Sequence, residues 1–86
     1  MDYCVITFLS THGAIAAQKL LEDRWPVRVM PVLREISLGC GIALRLSPEH
    51  IPAVRCALGA SSLRPEEYAF YGVTGSGHTL RTEKLD

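Results

Sequence analysis

The stretch Tyr3-Cys-Val-Ile-Thr-Phe-Leu-Ser-Thr-His-Gly13 contains the change of pattern that decides the fold. Its first part is rich in β-branched and aromatic residues that alternate between two faces, which predicts a strand. The segment Ser10–Gly13 then breaks this alternation, and Ser10 or Thr11 is suited to cap a helix. Helical spacing of apolar residues follows from Ala14 to Asp23. The chain therefore begins with a strand that leads directly into a helix.

Three more strands and a second helix are predicted further along the chain. The segments Val27–Leu33 and Ile42–Leu46 both alternate as strands, and Pro31 assigns the first of them to a sheet edge because proline cannot donate to a ladder. Ser47-Pro48-Glu49 has the composition of a helix start, with a cap, a proline at the first position and an acid in the first turn. Tyr68–Val73 reads as the last strand.

The element order β-α-β-β-α-β predicts an α+β fold, a ferredoxin-like βαββαβ sandwich. We expect a four-stranded antiparallel sheet with two helices on one face. Residues 1–73 would form this single domain, and residues 74–86 would be a polar, flexible C-terminal tail. The face without helices is expected to carry a mixture of charged and apolar side chains, namely Arg28, Met30, Ala43 and Arg45. A homodimer through this open face is therefore expected.

Composition excludes several classes of function. Nine basic residues balance nine acidic ones, so the chain lacks the positive charge that nucleic acid binding requires. No apolar run approaches the roughly 18 residues of a membrane span, and the N-terminus has no basic region typical of a signal peptide. The cysteines are odd in number and form no CxxC pair, which argues against a disulfide framework and a zinc site. These features predict a cytoplasmic protein without a metal.

Known catalytic patterns are also missing from the sequence. There is no Ser-His-Asp set, no glycine loop that could cradle a phosphate, and no carboxylate pair placed for acid–base catalysis. We therefore expect no cofactor. A carrier is favoured over an enzyme that turns over a free substrate.

The most unusual position is Cys40, which lies between Gly39 and Gly41. The glycines leave the sulfur open to approach and permit backbone angles that other residues avoid. In the predicted topology the first and third strands are antiparallel neighbours. Cys40 should therefore lie at the sheet edge where the first helix begins, close to the segment Ser10–His12 and its unpaired N–H groups.

The helix start alone is too weak to make Cys40 a thiolate at neutral pH. A helix terminus supplies about 0.3–1 kcal/mol, and one pKa unit corresponds to about 1.36 kcal/mol. A second cation is therefore needed, and His12 and Arg34 are the candidates. The alternative is that Cys40 is a small residue that packs at the start of a strand. Cys4 is expected in the core, and Cys56 is expected to be exposed on the second helix.

Two motifs resemble a known family. Ser10-Thr11-His12 before an alanine-rich helix, together with Pro31-Val-Leu-Arg-Glu-Ile-Ser-Leu-Gly-Cys-Gly-Ile-Ala-Leu44, is similar to the selenium/sulfur carrier-like proteins, a small domain of unknown function. The resemblance covers about residues 2 to 73. It implies that Cys40 carries sulfur or selenium as a persulfide or selenosulfide. The segment Ser37–Gly39 departs from the family, in which small polar residues are common before the cysteine.

These considerations define a candidate site and two possible functions. We expect Cys40 as the carrier thiol, His12 as thiolate stabiliser and Arg34 as a second cation. The surrounding binding residues would be Ser10, Thr11, Ser37, Gly39 and Gly41. The partners would be proteins that donate and accept sulfur or selenium. The alternative function is a non-catalytic, small-ligand-binding or regulatory interaction module, in which Cys40 is structural.

Overall fold

The computed structural model describes residues 1–33, 41–75 and 79–85. These residues form an α+β fold with two α-helices and a five-stranded antiparallel open sheet. The strand order is β2-β3-β1-β4-β5. The elements in chain order are β1 Tyr3–Phe8, α1 Thr11–Leu21, β2 Arg28–Pro31, β3 Ile42–Leu46, α2 Ile51–Gly59, β4 Tyr68–Thr74 and β5 Arg81–Leu85.

The fifth strand corrects the expected sheet of four strands. Arg81–Leu85 was assigned to the polar tail, but it pairs with β4 along its whole length, from Thr74 opposite Arg81 to Phe70 opposite Leu85. Charged residues are typical of a strand at a sheet edge, where they discourage pairing with another chain. With so many charged residues, the segment shows no alternation of apolar and polar residues, which is the pattern by which a strand is recognised in a sequence.

The helix-side face of the sheet carries the main core. Both helices pack against it, so the prediction of two helices on one face agrees with the buried cluster. The largest members are Phe8 and Phe70, and burying such a side chain contributes about 1.5–3 kcal/mol. The buried members of the cluster are Cys4, Ile6, Phe8, Ala14, Ala17, Leu21, Leu44, Leu46, Val54, Leu58 and Phe70.

The face of the sheet opposite the helices carries a second, smaller buried cluster. Val5, Ala43 and Val73 are buried there within the single chain. Partly buried side chains that pack against them are Tyr3, Met30, Val32, Leu33, Tyr71 and Leu80. The centre of the expected dimer face is therefore already covered by residues of the same chain, and the homodimer stays a prediction.

Both helices differ slightly from their predicted bounds. α1 begins at Thr11, directly after the predicted cap Ser10, and ends at Leu21 rather than Asp23. The predicted helix start at Ser47-Pro48-Glu49 forms a 3₁₀ turn over Pro48–His50, and α2 begins at Ile51. None of the helices in the described ranges is long and apolar enough to cross a membrane.

Candidate functional site

The segment that contains Cys40 joins β2 to β3, and the structure describes both of its ends. The two strands pair up to Pro31 opposite Ile42, and the N–H of Val32 then donates to the carbonyl oxygen of Gly41 at 3.0 Å. Leu33 packs on the face opposite the helices. The predicted site residues Arg34, Ser37, Gly39 and Cys40 lie outside the described residues.

The start of β3 lies at the same end of the sheet as the start of α1, as the topology predicts. β1 and β3 are antiparallel neighbours, with Thr7 of β1 opposite Ala43 of β3. The last residue of β1, Phe8, is followed by Leu9 and by the helix cap Ser10. Gly41, which follows Cys40 in the chain, immediately precedes β3. The segment Ser10–His12 and Gly41 therefore lie at the same end of the sheet.

The first turn of α1 is held by Ser10. Its backbone is extended, and its Oγ accepts from the N–H of Gly13 at 3.1 Å. Its carbonyl oxygen accepts from the N–H of Ala14, also at 3.1 Å. The Ser10 hydroxyl thus satisfies one of the donors that a helix start leaves open. The capping prediction is confirmed, whereas a role for Ser10 in binding stays a prediction.

His12 and Thr11 are exposed in this first turn. Within the described ranges, the backbone N–H of His12 has no hydrogen-bond partner. An N–H group at a helix start carries partial positive charge and favours an anion. Among the described residues, the turn therefore presents one unused backbone donor beside an exposed imidazole side chain.

Gly41 is exposed, and its surroundings are open. A Cβ built at this position would meet no atom of the described residues within 4 Å, and the backbone of Gly41 does not have a positive φ. Within the described ranges, packing therefore does not require a glycine at this position.

The other two cysteines behave as the sequence predicted. Cys4 is fully buried in the core, and this burial raises the pKa of its thiol to about 11, which the backbone of Tyr71 and the charge of Arg55 only partly offset. Such a thiol is inert because the thiolate is the reactive form. Cys56 is exposed on α2. Within the described ranges, no group of three or more His, Cys, Asp or Glu residues could hold a metal ion.

Sequence reasoning missed two features outside this site. His50 is half-buried, and its Nδ1 is buried without a hydrogen-bond partner within the described ranges. Arg28 and Arg45 were assigned to a dimer face, but the register makes them a directly opposed pair of like charges. The alternation of β2 and β3 puts both on one face, and only the register shows that they oppose each other.

Comparison with known proteins gives one match. A family model described as Putative Se/S carrier protein-like matches residues 3–69, a span from the first residue of β1 into β4. The chain matches no curated protein and no solved structure. Because the matched span covers most of the chain, the chain belongs to this Se/S carrier protein-like family.

Proposed function

We propose that this chain carries sulfur or selenium on Cys40 between a donor protein and an acceptor protein. The observation that carries the proposal is the family match over residues 3–69, which includes Cys40. Two features of the structure support it. The strand that follows Cys40 starts at the same end of the sheet as α1. At the adjacent Gly41, a Cβ would meet no atom of the described residues within 4 Å.

The proposed transfer needs no external oxidant. The Cys40 thiolate attacks the outer sulfur of a persulfide on the donor, and a new S–S bond forms at Cys40. The S–S bond of the donor breaks, and the donor thiolate leaves with the bonding electron pair. The outer sulfur keeps its proton during the transfer, so Cys40 first holds a neutral persulfide, which releases this proton to the departing thiolate or to water to give the persulfide anion. An acceptor thiolate attacks the outer sulfur of the protonated form in the same way. With a selenosulfide donor, selenium takes the place of the transferred atom.

The charge of the bound intermediate explains why α1 matters to the proposal. Both the thiolate and the ionised persulfide are anions, and the start of α1 offers the N–H of His12, which has no hydrogen-bond partner within the described ranges. A helix terminus contributes about 0.3–1 kcal/mol, which is less than one pKa unit in most settings. We therefore propose His12 and Arg34 as additional cations, and Thr11, Ser37 and Gly39 as residues that surround the sulfur.

Loading with a low-molecular-weight persulfide tests the carrier role. Peptide mapping by mass spectrometry under non-reducing conditions should find one added sulfur atom on the peptide that contains Cys40. The adduct should be lost in Cys40→Ser and kept in Cys56→Ser, which removes an exposed thiol on α2. Equal loading of Cys40 and Cys56 would contradict the proposal and favour a non-covalent binding module.

The role of His12 is tested by the pH dependence of Cys40 alkylation. In a Cys56→Ser background, the apparent pKa of Cys40 should be lower than the ordinary cysteine value. His12→Gln should raise this pKa, and His12→Arg should keep it low because arginine preserves the positive charge. An unshifted profile in the parent protein would remove His12 from the mechanism.

A further inference from the structure

Two arginines oppose each other across the ladder between β2 and β3. Arg28 pairs with Arg45, and both side chains are exposed. Residues in this relationship have Cβ atoms about 4.5–5.5 Å apart on one face of the sheet, where like charges destabilise the pairing. Within the described ranges, no carboxylate lies within 4.0 Å of either guanidinium group. This pair of positive charges therefore lacks a counter-ion from those parts of the chain.

The aromatic ring of Tyr3 orients one member of the pair. The guanidinium carbon of Arg45 lies 4.1 Å from the centroid of the ring, which is within the range of a cation–π contact. A cation–π contact of this kind does not consume the N–H donors of the guanidinium group. Its N–H donors lie in the plane and remain available to an anion.

The two arginines line a pocket that is open to solvent and has a volume of about 290 Å³. Ser47, which also lines it, makes no side-chain capping bond and contributes a hydroxyl group. Asp2 supplies the pocket's carboxylate, and its Oδ2 accepts from the N–H of Gly75 at 2.8 Å. This hydrogen bond holds the carboxylate at Gly75, and two guanidinium groups against one carboxylate leave the pocket with a positive charge.

Size and charge together point to one class of ligand. The chain has no net charge, so the paired arginines are a local feature rather than part of a generally basic surface. Guanidinium groups match the geometry of phosphate oxygens, which they bind through two parallel N–H donors. The pocket volume of about 290 Å³ lies just below the range of about 300–1,000 Å³ that is typical of ligand sites, which favours a small molecule over a nucleotide cofactor.

We propose that Arg28 and Arg45 form a binding site for a phosphate group, either free or on a small molecule. The pocket adjoins the end of β3, whereas Cys40 precedes its start. This proposal is therefore independent of the carrier function. Binding at this site would couple to the pairing of β2 and β3, because the ligand neutralises a repulsion between these two strands.

Titration with inorganic phosphate at constant ionic strength tests the site directly. Calorimetry should detect binding to the parent chain, an affinity at least about tenfold lower in Arg28→Gln and Arg45→Gln, and none in the double variant. The matched control is Arg24→Gln, because Arg24 is also exposed and also lies over an aromatic ring, 4.6 Å from that of Trp25. An equal loss of affinity in Arg24→Gln, or no loss in the other two, would overturn the proposal.

Thermal unfolding gives a second readout that a purely structural role would not produce. Without phosphate, Arg28→Gln should be at least as stable as the parent, because it relieves the repulsion. With saturating phosphate the order should reverse. The same reversal in chloride at equal ionic strength would overturn the proposal. Tighter binding of glycerol phosphate than of inorganic phosphate would identify the ligand as a phosphorylated small molecule, and equal binding would identify it as free phosphate.

Discussion

The N–H of Val32 donates to the carbonyl oxygen of Gly41 at 3.0 Å. This bond extends the ladder between β2 and β3 one step beyond the pair Pro31 and Ile42. It therefore joins Val32 to Gly41 on either side of the segment that contains Cys40, at the end of the sheet where α1 begins. The backbone of Gly41 therefore has a structural role at this point.

Gly41→Ala should separate folding from function. Its free energy of unfolding should stay within about 0.5 kcal/mol of the parent, because a Cβ would meet no described atom within 4 Å. If donor approach to Cys40 depends on this open space, persulfide loading should fall at the same time. Urea unfolding and mass spectrometry of the loaded chain measure the two effects. A large loss of stability would instead assign Gly41 a role in packing.

Gly75→Ala should destabilise the hairpin between β4 and β5. Gly75 has a φ of 88°, and a Cβ there would lie 2.5 Å from the carbonyl oxygen of Thr79. Left-handed backbone strain of this kind costs about 1–3 kcal/mol. We expect a loss of this size in urea unfolding, with faster amide hydrogen exchange in Arg81–Leu85. The control Gly59→Ala has open space and should be neutral or stabilising by up to about 1 kcal/mol. Equal effects of the two substitutions would contradict this account.

The same hairpin shows where sequence reasoning fails for the fold. β1, β3 and β4 are recognisable because apolar residues alternate in them or dominate them. β5 reads Arg-Thr-Glu-Lys-Leu, and only Thr82 and Leu85 are partly buried. An edge strand needs little apolar surface, because one of its sides faces solvent and its backbone pairs with a single neighbour. Local composition therefore does not distinguish it from a tail, and the neighbouring strand decides its state.

For the candidate site too, the sequence predicts the local features but not those that depend on how the strands pair. The Ser10 cap and the contrast between Cys4 and Cys56 follow from helix and strand periodicity, which are local properties. The position of Ser10 and Gly41 at the same end of the sheet follows from the antiparallel pairing of β1 and β3. The opposition of Arg28 and Arg45 depends on the register of the hairpin, and a slip of one residue would turn one side chain to the other face. A sequence pattern does not fix that register when a connection of ten residues, from Val32 to Gly41, separates the strands.

Ser10→Ala should cost about 1 kcal/mol of stability, because the Oγ accepts from the N–H of Gly13 and this donor would lose its partner. Ser10→Asp should restore most of the loss, since a carboxylate also caps a helix and favours its positive end. The matched control is Ser47→Ala in buffer without phosphate. Ser47 precedes a 3₁₀ turn without a side-chain capping bond, so this change should stay within about 0.5 kcal/mol. Equal losses in thermal or urea unfolding would contradict the capping role.

Cys4 should make the stability of the fold fall at alkaline pH. Burial raises the pKa of its thiol from the ordinary 9.0 to about 11. Between these values the unfolded chain loses the proton while the folded chain keeps it. The contribution is therefore fully present below pH 9.0 and is lost as the pH rises toward about 11. Two pKa units correspond to roughly 2–3 kcal/mol.

Comparison with Cys4→Ala isolates this contribution from those of the other ionisable groups in the chain, which the two proteins share. Urea unfolding in a Cys56→Ser background avoids intermolecular disulfides, because Cys56 is exposed. Cys4→Ala is expected to be less stable at neutral pH, since it leaves a small cavity in the core. Its stability should decline less steeply with pH, so the gap between the two proteins should narrow by roughly 2 kcal/mol between about pH 8.5 and 10.5. A constant gap would mean that the Cys4 thiol has the same pKa in the folded and unfolded chains, and that its burial does not exclude the thiolate.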